Sequence, residues 1–315
     1  MRIAVIGAGV AGLACASELA GAGHEVVVFE KARGPGGRTS SRRTDRGAFD
    51  HGCPVLARGS WLLELAPLGV ELADFAHGEV PVPRMSALCR ALAEGLDVRA
   101  GVRVAPVVRE GGAFRLVDDH GGALGTFDRV AVTVPAPQAA ELLAHAAPGV
   151  AARAGAVDYE PCWAALAAWD DPLPITPDWH RDDDPGAAVR WAARESAKPG
   201  RDAGERWTIQ GAAAWSRERL EDDADDVARD LVAALAAAAG ASPLPAPTLL
   251  TPHRWRYARV VTALQDACLT EAGAGAAGDW CAPPPGPRDP GALQSALGVP
   301  DALHSGRALA RALAV

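Results

Sequence analysis

Excess basic charge, long apolar runs and paired cysteines are all missing from this 315-residue sequence. The formal net charge is −8 and the pI is near 5.5, whereas nucleic-acid binding needs clustered Lys and Arg on a basic surface. No apolar run approaches the roughly 20 residues of a membrane span. We therefore expect no nucleic-acid partner and no membrane partner, and the cytoplasm is the expected location. The oligomeric state has no signature in the sequence.

Metal-binding and nucleophile motifs are also absent. The six cysteines show no C-x-x-C spacing, so we predict reduced structural thiols instead of a zinc or redox pair. The stretch 180–184 (His-Arg-Asp-Asp-Asp) lacks the glycine and the distal glutamate of a calcium loop. We expect a solvated loop there and no metal site. No G-x-S-x-G element competes as a nucleophile.

The first thirty residues have the pattern of a βαβ unit. Residues 3–6 form a short apolar run typical of a strand buried in a parallel sheet, and residues 25–29 form a second one. Residues 11–22 between them have helical composition, with Gly23-His24 as the stop. A glycine fingerprint, Gly-Ala-Gly-Val-Ala-Gly at 7–12, joins the first strand to the helix.

This fingerprint predicts a dinucleotide site because strand, helix and acidic residue all have the required spacing. Gly7 permits a tight turn, Gly9 lets the main chain approach a pyrophosphate, and Gly12 allows close packing of helix and strand. Val10 and Ala11 complete the helix N-terminus that would hold the pyrophosphate. A βαβ unit with incidental glycines is the alternative.

A second glycine and arginine cluster follows Glu30, the residue expected to accept the ribose hydroxyl groups. Its arginines can lie beside a diphosphate, and its glycines bring main-chain donors close. NAD-binding domains do not need this cluster, so it favours FAD. The cofactor residues predicted here are Lys31, Arg33, Gly36, Gly37 and Arg38. For Arg42, Arg43 and Arg46, a solvated basic face is the simpler interpretation.

At these residues the chain resembles the flavin-containing amine oxidase and phytoene desaturase superfamily, which carries the glycine fingerprint ending in Glu and then an R-G-x-G-G-R element. Further segments are similar to bacterial renalases. They are 49–52 (Phe-Asp-His-Gly), 84–88, 133–138, 196–199 (Ser-Ala-Lys-Pro), 215–216, 253–259 (His-Arg-Trp-Arg-Tyr-Ala-Arg) and 278–281 (Gly-Asp-Trp-Cys).

The resemblance implies a non-covalently bound FAD and oxidation of dihydronicotinamide isomers of NAD(P)H. Hydride would pass from the substrate to flavin N5, and O2 would reoxidise the flavin to give hydrogen peroxide. By the same resemblance, the main chain at Val104 would contact the adenine, with plain core packing as the alternative. Gly278 and Asp279 match the last FAD-binding element of the superfamily.

The expected fold is α/β. It combines a Rossmann-type FAD-binding domain, with a parallel sheet and a β-meander, and an inserted, mainly antiparallel β substrate domain of α+β type. The predicted FAD-binding domain is discontinuous (1–58, 84–150 and 266–315), and the substrate domain comprises 59–83 and 151–265. Trp215-Ser216 is predicted to open a helix, with Ser216 as its N-cap.

Aromatic residues are the candidate substrate contacts. His253, Trp255 and Tyr257 alternate along a predicted strand and so share one face. That face is expected to line the substrate pocket, and a satisfied structural histidine is the alternative for His253. Six of the nine tryptophans lie between positions 163 and 215, where they form either a flat apolar pocket or ordinary core.

The scarcity of lysine bears on the substrate. Many amine oxidases place a lysine near the flavin, and this chain has only Lys31 and Lys198; we interpret Lys198 as part of an ordinary loop. A dihydropyridine is already a good hydride donor, so dihydronicotinamide oxidation is favoured. The alternatives are an amine oxidoreductase or desaturase of a biosynthetic pathway, and a non-catalytic dinucleotide-binding relative. The short 53–85 segment and the proline-rich 282–290 segment motivate the last alternative.

Overall fold

The computed structural model describes residues 1–281 and 298–315. The proline-rich segment 282–290, on which the expectation of weakened flavin binding partly depends, lies outside the described residues. In chain order the strands are β1 (Arg2–Ile6), β2 (Glu25–Glu30), β3 (Arg42–Thr44), β4 (Gly47–Phe49), β5 (Leu72–Phe75), β6 (Gly78–Pro81), β7 (Asp97–Ala100), β8 (Val108–Glu110), β9 (Ala113–Val117), β10 (Ala123–Phe127), β11 (Arg129–Val132), β12 (Tyr159–Trp169), β13 (Trp179–Arg181), β14 (Val189–Arg194), β15 (Glu205–Gly211), β16 (Leu249–Val260), β17 (Leu269–Glu271) and β18 (Ala274–Ala276).

Helices occupy much of the remaining chain. The α-helices are α1 (Val10–Gly21), α2 (Ala87–Leu92), α3 (Ala136–Leu143), α4 (Pro148–Gly155), α5 (Ala213–Glu218), α6 (Ala224–Ala238) and α7 (Val299–Leu313). Short 3-10 helices span Gly37–Thr39, Ser60–Leu68 and Glu195–Ala197. Within residues 1–281 and 298–315, no helix combines the length and the apolar character that crossing a membrane requires.

The chain divides into two compact units. Unit 1 contains residues 1–37, 88–158 and 260–315, and unit 2 contains 38–87 and 159–259. The main difference from the predicted domain limits is the segment 38–58, which belongs to unit 2. Its hairpin β3–β4 packs on β15, where the Arg206 guanidinium lies 3.1 Å from the position that a Cβ of Gly47 would take.

Unit 1 is built on a six-stranded sheet in the order β17-β18-β11-β1-β2-β7. β1 pairs in parallel with both β2 and β11, and β2 pairs in parallel with β7. The apolar run at 3–6 is buried on both faces of β1, as expected for a strand covered on each side. β8, β9 and β10 form a separate antiparallel meander. The predicted Rossmann-type fold with a β-meander is therefore confirmed.

Helix α7 packs directly against α1. A Cβ at Gly306 would lie 2.1 Å from the Ala11 carbonyl oxygen, so only glycine permits this approach. The contact joins the C-terminal helix to the first turn of α1, where the glycine fingerprint lies.

Unit 2 contains a five-stranded sheet in the order β13-β14-β15-β12-β16, with β12 and β15 antiparallel as predicted. One face packs on α6 through a core that includes Trp163, Trp169 and Trp207, each at most 5% exposed. These three tryptophans are therefore core residues and not pocket residues.

The predicted N-cap role of Ser216 is wrong. Ser216 lies inside α5, fully buried, and its Oγ accepts the main-chain N–H of Trp163 at 3.1 Å. A helix with an acidic cap does follow, because the Asp223 side chain accepts the N–H groups of Asp225 and Asp226 at the start of α6.

Candidate functional site

The turn after β1 needs glycine at two positions. Gly7 has φ +105°, and a Cβ there would lie 3.1 Å from side-chain atoms of Thr133 and Val134. A Cβ on Gly12 would lie 1.9 Å from the Gly7 carbonyl oxygen, a distance that no side chain can occupy. These contacts give Gly7 and Gly12 the turn and packing roles expected from the fingerprint.

Gly9 differs, because no atom of the described residues lies within 4 Å of the position of its missing Cβ. It is the N-cap of α1, and no side chain caps that helix end. The first N–H groups of a helix lack intrahelical partners and carry partial positive charge. The first turn of α1, which includes Val10 and Ala11, thus presents main-chain donors beside open space.

The second glycine element lies beside the first. Gly36 donates its N–H to the Ala8 carbonyl at 2.8 Å, and a Cβ on Gly37 would lie 3.5 Å from the Gly9 Cα. The two glycine segments, separate in sequence, therefore form one main-chain cradle in unit 1.

Glu30 is 7% exposed at the end of β2. Its Oε2 accepts the Ala8 N–H at 2.8 Å, and its Oε1 accepts the Ala32 N–H at 2.7 Å. Each carboxylate oxygen has a further lone pair with which to accept a hydroxyl. Val104, 7% exposed, forms a bridge with Asp118 in the segment that follows β7, the strand beside β2.

The predicted basic residues of this region separate into two groups. Lys31 donates to Gln138 Oε1 at 3.2 Å, and burial, followed by the charge of Arg103, lowers the pKa of Lys31. Arg33 is exposed on unit 1. Arg38 belongs to unit 2, where its Nη1 donates to the Ala258 carbonyl of β16 at 3.1 Å.

The late Gly-Asp-Trp segment lies at the ends of the central strands of unit 1. Gly278 donates its N–H to Ser305 Oγ at 3.1 Å, Asp279 is 2% exposed, and Trp280 Nε1 donates to the Val134 carbonyl at 3.2 Å. Val134 also adjoins Gly7. The glycine cradle, the open helix end and the Glu30 carboxylate together fit the ADP half of a flavin dinucleotide.

Unit 2 contains an aromatic cluster, which we define as His51, His253 and Trp255. The ring centroids lie 4.6 Å apart for His51–His253, 5.1 Å for His51–Trp255 and 4.3 Å for His253–Trp255. Tyr257, two residues further along β16, meets Tyr159 at 5.5 Å. The predicted residues share one face of the strand, since Arg254 and Arg256 between them are exposed and pair with Glu221.

The main chain next to the His51 ring is fixed by side chains from two strands. The His51 carbonyl accepts Trp255 Nε1 at 2.9 Å and Gln210 Nε2 at 3.2 Å. Gln210 Nε2 also donates to the Gly52 carbonyl at 2.5 Å. A Cβ on Gly52 would lie 2.1 Å from the Arg38 carbonyl oxygen, so this turn also requires glycine.

Both histidines of the aromatic cluster are neutral near pH 7. Burial, with His253 and Arg42 nearby, lowers the pKa of His51 to about 3, and burial with Arg42 lowers the pKa of His253 to about 4. His51 is 6% exposed, and its Nδ1 has no hydrogen-bond partner among the described residues.

A buried charge network lies immediately beside the aromatic cluster, and we define it as Asp50, Glu195, Lys198 and Arg201. Asp50 Oδ2 accepts Arg201 at 2.6 Å and Lys198 at 3.5 Å, and Lys198 lies 3.0 Å from both Glu195 oxygens. Burial opposes ionisation of Asp50, but Lys198 and Arg201 outweigh it and lower the pKa of Asp50 to about 2. Burial raises the pKa of Glu195, an effect that Lys198 opposes.

This network corrects the sequence interpretation of Lys198. Its side chain is 0% exposed and fully paired, so it is a core cation and not an ordinary loop lysine. His51 and the acids of the network were also missed as site residues. The signal was present, because the Asp50-His51 and Ser196 to Pro199 segments both matched the family pattern, but nothing in their spacing indicates that they meet.

The remaining candidate chemistry has structural explanations. In the 180–184 stretch, Asp182 and Asp184 accept main-chain N–H groups two residues on, and Asp183 pairs with Arg181 and Arg190. Across residues 1–281 and 298–315 no group of metal-ligating side chains comes together. None of the six cysteines forms a disulfide, and burial raises the pKa of Cys53 and of Cys162 to about 12.

Comparisons with known proteins agree with this geometry. Residues 5–64 match the NAD(P)-binding Rossmann-like domain, and residues 58–314 match the flavin containing amine oxidoreductase family. A 4,4'-diapophytoene desaturase of Staphylococcus aureus is 54% identical over 56 residues, a segment that spans 18% of this chain but only 11% of the desaturase.

Solved structures share the fold at low sequence identity. A putrescine oxidase bound to putrescine has a TM-score of 0.75 at 13% identity, covering 99% of each chain. Cyclohexylamine oxidase from Brevibacterium oxydans IH-35A has a TM-score of 0.70 at 11% identity, covering 99% of this chain and 98% of that one. The family match covers most of the sequence, and flavin is part of the family's definition. The chain therefore belongs to the flavin-containing amine oxidoreductase family.

Proposed function

We propose that this enzyme is a renalase-like oxidase of dihydronicotinamide isomers of NAD(P)H, with non-covalently bound FAD and O2 as the electron acceptor. The overall reaction converts one dihydronicotinamide, one O2 and one proton into the oxidised nicotinamide and hydrogen peroxide. Bound FAD supplies the hydride acceptor.

The observation that carries the proposal is the uncharged aromatic cluster of unit 2. His51 and His253 stay neutral near pH 7, and the charge that lowers the pKa of both is the guanidinium of Arg42. A planar, uncharged dihydropyridine suits such a surface. An alkylammonium ion would meet a like charge and, since Asp50 is fully paired in the charge network, no available carboxylate.

The lysines support the same choice of substrate. Lys198 is enclosed by the carboxylates of Asp50 and Glu195, and Lys31 lies at the end of β2 beside Glu30 and Gln138. Neither is available to assist deprotonation of an amine nitrogen. Oxidation of a substrate that needs no deprotonation is therefore the simplest chemistry for these residues.

The chain's own residues have two tasks in this proposal. In unit 1, the glycine cradle and the first turn of α1 bind the pyrophosphate, with Glu30 accepting ribose hydroxyls. In unit 2, His253, Trp255 and Tyr257 orient the nicotinamide ring and exclude water from it. Both tasks are positioning tasks, so the rate depends on geometry more than on a catalytic acid or base.

Aerobic turnover tests the proposal. The holoenzyme is mixed with the 2-dihydro and 6-dihydro isomers of NAD(P)H, while oxygen uptake and hydrogen peroxide are recorded together. We expect one O2 consumed and one peroxide formed for each isomer oxidised. Ordinary 4-dihydro NADH and a primary amine serve as comparison substrates, and faster turnover of the amine than of either isomer would contradict the proposal.

A further inference from the structure

His51 combines two properties that rarely occur together in a buried side chain. Its ring is 6% exposed, yet its Nδ1 has no hydrogen-bond partner within residues 1–281 and 298–315. Buried polar atoms are nearly always paired, because an unpaired one loses its hydration without compensation. An exception at a fixed position therefore calls for an explanation.

The position of the ring does not depend on that nitrogen. Trp255 and Gln210 hold the His51 carbonyl, and the preceding Asp50 is held by Arg201 and by Ser41 Oγ at 2.6 Å. The Asp50 side chain also accepts the Met85 N–H at 3.1 Å. The surroundings thus orient the ring through its main chain and its neighbour, as in a preorganised binding site.

The surroundings of the ring also restrict what it can bind. His253 meets it edge to face at 84°, and Trp255 is tilted to it by 36°, so the three rings form an aromatic surface of the kind on which a planar ring packs. A neutral imidazole has one N–H donor and one acceptor nitrogen. The ring also hydrogen-bonds the Ser40 main chain, and an uncharged amide, which carries both a donor and an acceptor, matches the Nδ1 that has no partner among the described residues.

We propose that His51 is a specificity-determining residue whose Nδ1 hydrogen-bonds the carboxamide of a nicotinamide ring bound at the aromatic cluster. This inference rests on the proposed function, because that function supplies the nicotinamide. The inference adds a residue that distinguishes a nicotinamide from other planar rings by its carboxamide group. The buried charge network acts on the substrate only through His51, as a set of positioning residues.

Binding of two dinucleotides tests the inference. Nicotinamide adenine dinucleotide and its pyridine analogue, which lacks only the carboxamide, are titrated by calorimetry into the holoenzyme and into the H51F variant. Phe keeps a ring beside His253 and Trp255 but has no nitrogen. We expect H51F to bind the nicotinamide dinucleotide about tenfold more weakly, as for one lost hydrogen bond, and to bind the pyridine analogue as the unaltered enzyme does.

Two further variants make the result decisive. H77F is the matched control, because His77 also meets a tryptophan edge to face, Trp179 at 4.6 Å, outside the aromatic cluster. H51N retains a polar atom near the Nδ1 position and is expected to restore the preference for the carboxamide, even if H51F loses FAD or stability.

The outcomes separate the two levels of the proposal. Equal loss of both dinucleotides in H51F, or no preference for the carboxamide in H51N, overturns the role of His51 while leaving the proposed function in place. Failure of the 2-dihydro and 6-dihydro isomers to reduce the unaltered holoenzyme overturns the proposed function itself, and the carboxamide assignment with it.

Discussion

The candidate sites of the two units are built from different materials. In unit 1 the cradle consists mostly of main chain, with glycines where a Cβ would collide, and Glu30 supplies a buried carboxylate. In unit 2 the aromatic cluster and the charge network consist of side chains from three separate segments around positions 50, 198 and 253. A main-chain site tolerates little substitution at a few positions, whereas a side-chain site depends on many partners at once.

The largest expected effect comes from breaking the charge network. Replacing Lys198 with Met leaves the buried Glu195 carboxylate without its cation. It also removes one of the two cations that pair with Asp50, so that only Arg201 remains among the described residues. We expect a loss of about 3 to 5 kcal/mol in the free energy of unfolding, measured by chemical denaturation. Lys31→Met is the matched control, since Lys31 is the other lysine and, within residues 1–281 and 298–315, has no carboxylate enclosing it, only a hydrogen bond to Gln138; it should change stability by less than about 0.5 kcal/mol. Equal losses of stability in both variants would contradict the claim that the buried charge network stabilises unit 2.

The next effect tests the main-chain character of unit 1. Gly12→Ala places a methyl group 1.9 Å from the Gly7 carbonyl oxygen, so the turn must shift. We expect a destabilisation of about 3 kcal/mol, the upper end for overpacking, together with loss of bound FAD.

Gly21→Ala provides the control for Gly12→Ala within the same helix. A Cβ at Gly21 would meet no atom within 4 Å, and alanine favours helix over glycine by up to about 1 kcal/mol. This variant should be as stable as the unaltered enzyme or more so. A tolerated Gly12→Ala would show that the close packing at the turn is not required.

The acid dependence of stability tests the neutral histidines of unit 2. In the unfolded chain both imidazoles take up a proton near the ordinary pKa of 6.5. In the folded protein the pKa is about 4 for His253 and about 3 for His51. The unfolded state therefore binds more protons below pH 6.5, and stability decreases as the pH falls from 6.5 to 4. For His51 the slope approaches about 1.4 kcal/mol per pH unit.

Substitution identifies the source of that slope. The His51→Asn, His253→Asn double variant should lose most of the pH dependence between 6.5 and 4. His120→Asn is the control, because the side chain of His120 is 89% exposed, and its removal should leave the slope unchanged. If the double variant keeps the same pH dependence of stability, the dependence arises from titratable groups other than His51 and His253.

The smallest effect separates cofactor binding from folding. Gly9→Ala fills space in which no atom of the described residues lies within 4 Å, so the apoprotein should keep its stability. The methyl group would occupy the approach to the pyrophosphate, and we expect roughly tenfold weaker FAD binding, measured by reconstitution of the apoprotein. Unchanged FAD affinity would place the pyrophosphate elsewhere.

Unit 1 could be predicted largely from sequence because its signals are local. Strand, turn, helix and Glu30 follow one another within thirty residues, and each has a characteristic composition. The segment 38–58, which the sequence assigned to the FAD-binding domain, lies in unit 2. Its hairpin contacts residues beyond position 200, and no local pattern contains that pairing.

Unit 2 could be predicted only in outline. The alternation of His253, Trp255 and Tyr257 indicated their shared face, since a strand imposes a period of two. The tryptophan pattern could not distinguish core from pocket, and Lys198 gave no sign of its burial. These features depend on which distant segments meet, and the charge network forms only when residues about 150 positions apart come together.

Anaerobic reduction of the flavin tests the central claim most directly. The holoenzyme is mixed in a stopped-flow instrument with the 6-dihydro isomer of NAD(P)H or with putrescine, and the visible flavin absorbance is followed. We expect rapid and complete bleaching by the dihydronicotinamide and no bleaching by the diamine. Bleaching by the diamine alone would contradict the claim that the uncharged aromatic cluster selects a neutral hydride donor.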